Sequence, residues 1–289
     1  MIIAVSARET TARIALLNGD ELSEYAIWNR GRPDGVDDVY TARITACVPA
    51  MAGSFADLGG ETGFLPDSAG AAKLTEGSYI TVRITRAAAG GKGPRLAAVD
   101  EPPGEKPGLR RLGPGPLLAL CARFPQAAVI IDDYAWLATM RGALGTRIAY
   151  QATTFDAVLE DEIATLGESH VTLPGGAVMH IEPTAALTAI DIDGGAATAA
   201  TAAKAPAQMA LNTGIIPAIV RQIVLRNLSG AILLDFAGLK SRHRVKLAPA
   251  LTAALAKDPL KPQLLGFSNF GFAEISRARI RPPLHELLR

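Results

Sequence analysis

The 289-residue chain has only two cysteines, Cys47 and Cys121, far apart and with no Cys-x-x-Cys pair. Neither a disulfide framework nor a cysteine-rich zinc site is indicated. Aromatic residues make up 5 % of the chain, so platforms for stacking bases must be few and each exposed phenylalanine counts for more. There is no charge excess either: 29 basic residues face 28 acidic ones, which removes the whole-molecule field that marks many nucleic-acid binders. An argument for a polyanionic partner must therefore rest on local clusters. No stretch reaches membrane-spanning length without glycine, proline or charge, and the N-terminal apolar run meets Arg8 and Glu9 too early for a signal core. A cytoplasmic location with no membrane partner is the expectation.

What is present is apolar bulk, 49 % of residues, enough for two or three small packed cores. Residues 2–5, 12–17 and 24–28 read as short strands, the second turning at Asn18-Gly19. After the linker 30–38 come five evenly spaced short strands, at 39–47, 53–58, 63–66, 79–85 and 96–99. With their glycine-rich turns they predict a small closed barrel of the OB type. A Pro/Gly/Arg-rich stretch, 100–116, is expected to be exposed and mobile. Beyond it the pattern alternates: helices at 117–124, 134–144 and 157–166, strands at 128–131, 170–173, 178–181 and 187–192, then an Ala/Thr/Gly loop at 194–206. A helix at 215–226, a strand at 230–236, a helix at 245–257, a strand at 263–266 and a closing helix at 272–279 complete a layered α/β reading.

Two apolar strands end in acid. Leu187–Ile192 carries Asp191, with Asp193 two residues on and on the same face; Gly230–Phe236 carries Asp235. If the two strands are neighbours, as short crossovers favour, the three carboxylates converge. Grouped carboxylates must take up protons or be neutralised by a hard cation. Magnesium suits them because it binds through one or two carboxylates and keeps exchangeable waters. A single strand-end aspartate more often merely caps the turn that follows.

Longer blocks narrow the choice. GGAVMHIEPTAALTAIDID, RQIVLRNLSGAILLDF and FSNFGFAEISRARIRPPL, in that order, resemble the catalytic region of the bacterial ribonuclease E/G family. The likeness extends to MIIAVSARETTARIALLNGDELSEYAI, VYTARITACVPAMAGSFADLGGETGFLP and EGSYITVRITRAAAGGKGPRL, and so to nearly the whole chain. It implies an α+β and α/β multidomain protein. A ribonuclease-H-like scaffold would be formed by residues 1–33 and 117–182, an OB-fold (S1-type) barrel by 34–100, a linker by 101–116 and a DNase-I-like catalytic domain by 183–289. It further implies a magnesium-dependent endoribonuclease acting on single-stranded RNA, with Asp191 and Asp235 as metal ligands. Asp193 stands where the family has a supporting asparagine, and the exchange adds negative charge beside the metal position. Phe55, Phe64 and Lys92 fall at positions that stack bases and neutralise phosphate, although alternation alone suits both phenylalanines equally as barrel core. Arg242 and Arg244, with Lys246, are candidates for gripping the RNA backbone near the metal, and a solvated helix start explains them nearly as well. His243 is not assigned the role of general base.

Family members carry a longer segment between the barrel and the strand around Val129–Ile131, which senses a 5′ monophosphate. Here only 101–116 and the helix 117–124 fill that interval, so no preference for such ends is expected. The zinc-linking cysteine motif would follow the final helix, and the sequence stops at Arg289 without it. No zinc-linked dimer is expected. The loop 194–207 carries Lys204 as its single charge, which reduces the contacts available there. The competing reading is a non-catalytic RNA-binding protein that retains the fold; a phosphoesterase for small nucleotides is a third.

Overall fold

The computed structural model describes residues 1–194 and 204–288. Most of the loop expected at 194–206 lies outside the described residues.

Three sheets organise the chain. The first has the order β11-β10-β1-β2-β3, built from β1 (Ile2–Arg8), β2 (Thr11–Asn18), β3 (Glu21–Asn29), β10 (Ala128–Ile131) and β11 (Ile148–Tyr150). β10 and β11 add in parallel beside β1 although about a hundred residues separate them from it in the chain. Both faces are covered, which explains the unbroken apolar run in β1. Ile3, Val5, Ile14 and Leu16 pack under α1 (Gly115–Arg123) and α2 (Tyr134–Leu144), while Ala4, Ala15 and Leu22 meet Phe155 and Leu159 at α3 (Ala157–Thr165) on the other face. The Asp133 and Asp156 side chains accept from Trp136 N–H and Leu159 N–H and so cap α2 and α3.

Between β3 and α1 the chain makes a closed five-strand barrel, OB-like in its strand order, from β4 (Val39–Val48), β5 (Gly53–Asp57), β6 (Thr62–Pro66), β7 (Tyr79–Arg86) and β8 (Arg95–Ala98). β4 closes it by pairing with both β5 and β7. Ala42, Ile44, Ala56, Leu65, Val82, Ile84 and Leu96 fill the interior. The following stretch is not free chain as its composition suggested. β9 (Gly108–Arg111) pairs with the start of β4, and Gly104 N–H donates to the Thr41 hydroxyl. The open backbone edge of β4 recruits it.

The last sheet has the order β12-β13-β14-β15-β17-β16. It comprises β12 (His170–Thr172), β13 (Val178–Pro183), β14 (Leu187–Asp193), β15 (Gly230–Asp235), β16 (Gln263–Phe267) and β17 (Ala273–Arg277). The β12–β13 hairpin, read from sequence with the scaffold segment 117–182, pairs through β13 with β14 and joins this sheet instead. The closing helix expected at 272–279 is the strand β17: Ala273, Ile275 and Arg277 are buried while Glu274 and Ser276 are not, a period of two between two antiparallel neighbours. The helix expected at 245–257 is a short 3-10 turn followed by α6 (Ala248–Leu255), with the separate short helix α5 (Ser241–Arg244) before it. α7 (Leu284–Leu287) ends the described fold.

One face of this sheet is sealed by α4 (Lys204–Leu225) and α6. α4 crosses over from β14 to β15 and is long and apolar enough to span a membrane by length and composition alone. Its Ile215, Ile216, Ile219 and Ile223 lie in the core against Ile190, Ile192, Ile232 and Leu234, each contributing about 1.5–3 kcal/mol by burial. Arg221 on the same helix pairs with Glu162 and Glu21. Among the described residues no helix covers the sheet's opposite face.

Candidate active site

The open face carries the two strand-end aspartates side by side. β14 and β15 run parallel, and their last register pair is Asp191 opposite Asp235. Directly opposed residues on neighbouring strands share a face, with Cα atoms about 4.8 Å apart. Both acids thus sit at the carboxyl ends of adjacent parallel strands, where α/β sheets commonly place ligands. The alternation that buries Ile190, Ile192 and Leu234 under α4 turns Asp191 and Asp235 outward. Asp193 follows on the same face, about 6.6 Å further along the strand, opposite Val178. Among the described residues no three carboxylate, histidine or cysteine groups are placed to share one ion, so the expected three-way convergence reduces to a pair.

Asp235 is held from behind. The turn after it is pinned by Asn212 of α4, a fully buried amide that accepts from Ala237 N–H at 3.0 Å and donates to Ala237 O at 2.9 Å and to Gln208 O at 2.7 Å. Gly238 takes φ +60°, a left-handed conformation that favours glycine, and a Cβ there would meet only the flexible end of the Gln208 side chain. Arg244 then turns back. Its guanidinium contacts Asp235 Oδ1 while Nε donates to Leu239 O at 2.8 Å and Nη1 donates to Gly271 O at 3.1 Å. Arg244 is thereby engaged inside the protein, while Lys240, Arg242 and Lys246 are exposed cations of this segment. Sequence reasoning missed Asn212 and the inward role of Arg244.

The neighbouring rows complete the surface. His180 is the register partner of Asp191 on one side, and His170 is the partner of His180 beyond it. A shallow cavity of about 230 Å³ lies over this face, lined by His180, Glu182, Asp191 and Asp235 with Ala189, Leu233 and Phe272 as an apolar floor. It can seat a planar or apolar group beside two carboxylates.

The barrel presents a second face. Phe55 on β5 and Phe64 on β6 are register partners whose rings meet edge to face at 5.5 Å. Both are half-exposed and neither belongs to the barrel core, because their strand neighbours Ser54, Ala56 and Leu65 take the inward positions. Lys92 stands exposed beside a tight turn in which Ala89 and Lys92 exchange backbone hydrogen bonds across Gly90 and Gly91. Both glycines have positive φ, +58° and +75°, as the two-residue hairpin turn demands. Phe64 N–H donates to Pro94 O at 2.9 Å, which ties this loop to the aromatic face.

Fold and site together define a class: an OB-like barrel set into an α/β protein whose last sheet exposes paired carboxylates. The sequence model of the Ribonuclease E/G family matches residues 136–280, from the second helix through the last strand of the fold. The chain belongs to the ribonuclease E/G family. It is 35 % identical over 133 residues to ribonuclease G of Haemophilus influenzae, a match covering 45 % of this chain and 26 % of that protein. Ribonuclease G of Escherichia coli gives the same identity over 45 % of this chain and 27 % of its own length. Ribonuclease E of Escherichia coli is 36 % identical over 131 residues, 44 % of this chain and 12 % of that protein. The matched stretch thus spans about a quarter or less of these relatives. Asp191 and Asp235 lie inside the span of the family model and the barrel lies outside it.

Proposed function

We propose that this protein is a magnesium-dependent endoribonuclease that hydrolyses single-stranded RNA in RNA processing or decay, in the cytoplasm. The observation that carries this reading is the register pairing of Asp191 with Asp235 on the open face of the last sheet. The donor set fits a magnesium ion, which needs only one or two carboxylates and otherwise keeps water. Asp191 and Asp235 would hold it, and when bound it supplies polarisation of the scissile phosphate and activation of water. The chain's own residues supply the rest. Arg244 and the Asn212-pinned turn fix the Asp235 carboxylate. Asp193 adds negative charge next to the pair, the Leu233–Phe272 floor seats a base, and Arg242 is exposed to grip phosphate. Phe55 and Phe64 stack bases, and Lys92 neutralises backbone charge. In this reading the first sheet is a ribonuclease-H-like scaffold carrying an S1-type barrel, and the last sheet is a DNase-I-like catalytic domain.

One contact favours a second reading, a non-catalytic RNA-binding protein that keeps the fold: Arg244 already neutralises Asp235, as a cation would. Labelled unstructured RNA incubated with magnesium separates the two. Wild type should cut, while Asp191→Asn and Asp235→Asn should lose at least about a thousandfold in rate, about 4 kcal/mol, and still bind. Binding by all three with cutting by none sinks the catalytic reading and leaves the second.

A further inference from the structure

Beside the aromatic face the barrel wall turns cationic. Arg95 on β8 is the register partner of Phe64, and Arg86 on β7 is the register partner of Arg95. Since opposed residues on neighbouring strands share a face, Phe55, Phe64, Arg95 and Arg86 stand in one row across four strands. The row runs on to the segment that follows β17. Ala87 N–H donates to Ile280 O at 2.8 Å, and this bond brings Arg279 to Arg86. Arg279 Nη2 lies 3.6 Å from where a side chain on Gly230 would begin, at the start of β15.

None of these three guanidiniums has a carboxylate partner among the described residues, whereas Arg281, two positions on, is clasped by Asp34. Burial first, and then the positive charges of Arg95 and Arg279, hold the Arg86 guanidinium below its usual value. Three like charges gathered at a junction repel one another until an anion enters. Guanidinium forks match phosphate oxygens in charge and in geometry.

We propose that Arg86, Arg95 and Arg279 form a phosphodiester clamp that grips successive backbone phosphates of single-stranded RNA where the strand passes from the Phe55–Phe64 face to the last sheet. The clamp rests on the reading of this protein as one that acts on RNA, and its own contribution is separable from that reading by salt. Affinity of the full-length Asp191→Asn protein for a fluorescent, unstructured oligoribonucleotide should be measured from low to high KCl. Removing one arginine–phosphate interaction should reduce the slope of log K against log salt by about 0.7 for single-stranded nucleic acid. The Arg86→Gln, Arg95→Gln, Arg279→Gln triple variant should therefore lower the slope by about 2, and Arg95→Gln alone, at an exposed position, by about 0.7. Arg-to-Lys replacements should keep the slope. Phe64→Ala should weaken binding at every salt concentration with the slope unchanged. If the glutamine variants bind with the wild-type slope while Phe64→Ala still weakens binding, the clamp is wrong and the RNA reading stands. If the oligoribonucleotide is not bound even at low salt, both fall.

Discussion

Arginine is used in opposite ways in two regions of this molecule. In the last sheet, Arg277 is sealed against Asp258 and Arg244 against Asp235, with further bonds to backbone carbonyls. At the junction of barrel and sheet, Arg86, Arg95 and Arg279 gather with no acid between them among the described residues. The difference follows burial. Arg277 and Asp258 are 3 % and 0 % exposed in their side chains, and a charge that deep needs an acid or, as for Arg226 with Gln222 and the Thr165 carbonyl, neutral hydrogen-bond acceptors. The junction arginines reach solvent, so the fold tolerates them without one. A charge paired internally serves the architecture or orients an acid, and one left open is available to a ligand.

The largest effect should come from removing a partner where burial is complete. Asp258→Ala leaves Arg277 charged and enclosed, and should destabilise the protein by about 3–5 kcal/mol, read from urea or thermal unfolding. Arg95→Gln at the junction should change stability by no more than about 0.5 kcal/mol. If Asp258→Ala proves as mild as Arg95→Gln, the division between architectural and ligand-directed arginines is wrong.

A smaller effect tests the aromatic end of the open row. Phe55→Ala or Phe64→Ala should weaken RNA binding by about 1–3 kcal/mol. The stability cost should stay near the edge-to-face pair's own contribution, about 0.5–1.5 kcal/mol, because both rings lie outside the barrel core. A drop of about 3–5 kcal/mol in stability, the cost of truncating a core phenylalanine, with affinity unchanged, would return both residues to the interior.

How much of this was legible in the sequence depends on the range of the interaction that decides each feature. Asp191 and Asp235 could be picked out because each ends an apolar run whose length and branching already specify a buried strand. Their pairing was expected from the short crossover and from the family resemblance, but the register that sets it could not be read. Register between β14 and β15 is set across the α4 crossover, by which faces the helix seals. Asn212 escaped notice because α4 begins at Lys204, whereas apolar periodicity starts only at Ile215; its first turns are held by alanine propensity and packing, which leave no periodic trace. β17 was read as a helix, and residues 272–279 do include alanines and arginines of good helix propensity. Its two strand neighbours overrode that preference. The half-exposed placement of Phe55 and Phe64 was left open by alternation, since a period of two states which residues oppose each other and not which set faces inward.

Pairing and burial come apart at the surface. Arg123 of α1 and Glu24 of β3 form a two-pronged ion pair at 2.7 and 2.5 Å, as good in geometry as the Arg277–Asp258 pair. Their side chains are 40 % and 21 % exposed. Solvent screens such a pair, so a double-mutant cycle of Arg123→Ala and Glu24→Ala should give a coupling of about 0.2–1 kcal/mol, shrinking toward zero in 1 M salt, where the Debye length is about 3 Å. A coupling as large as that across Arg277 and Asp258, or one indifferent to salt, would mean that geometry rather than depth sets the strength of these pairs. Exposure would then no longer show which arginines are committed to the fold and which are open to RNA.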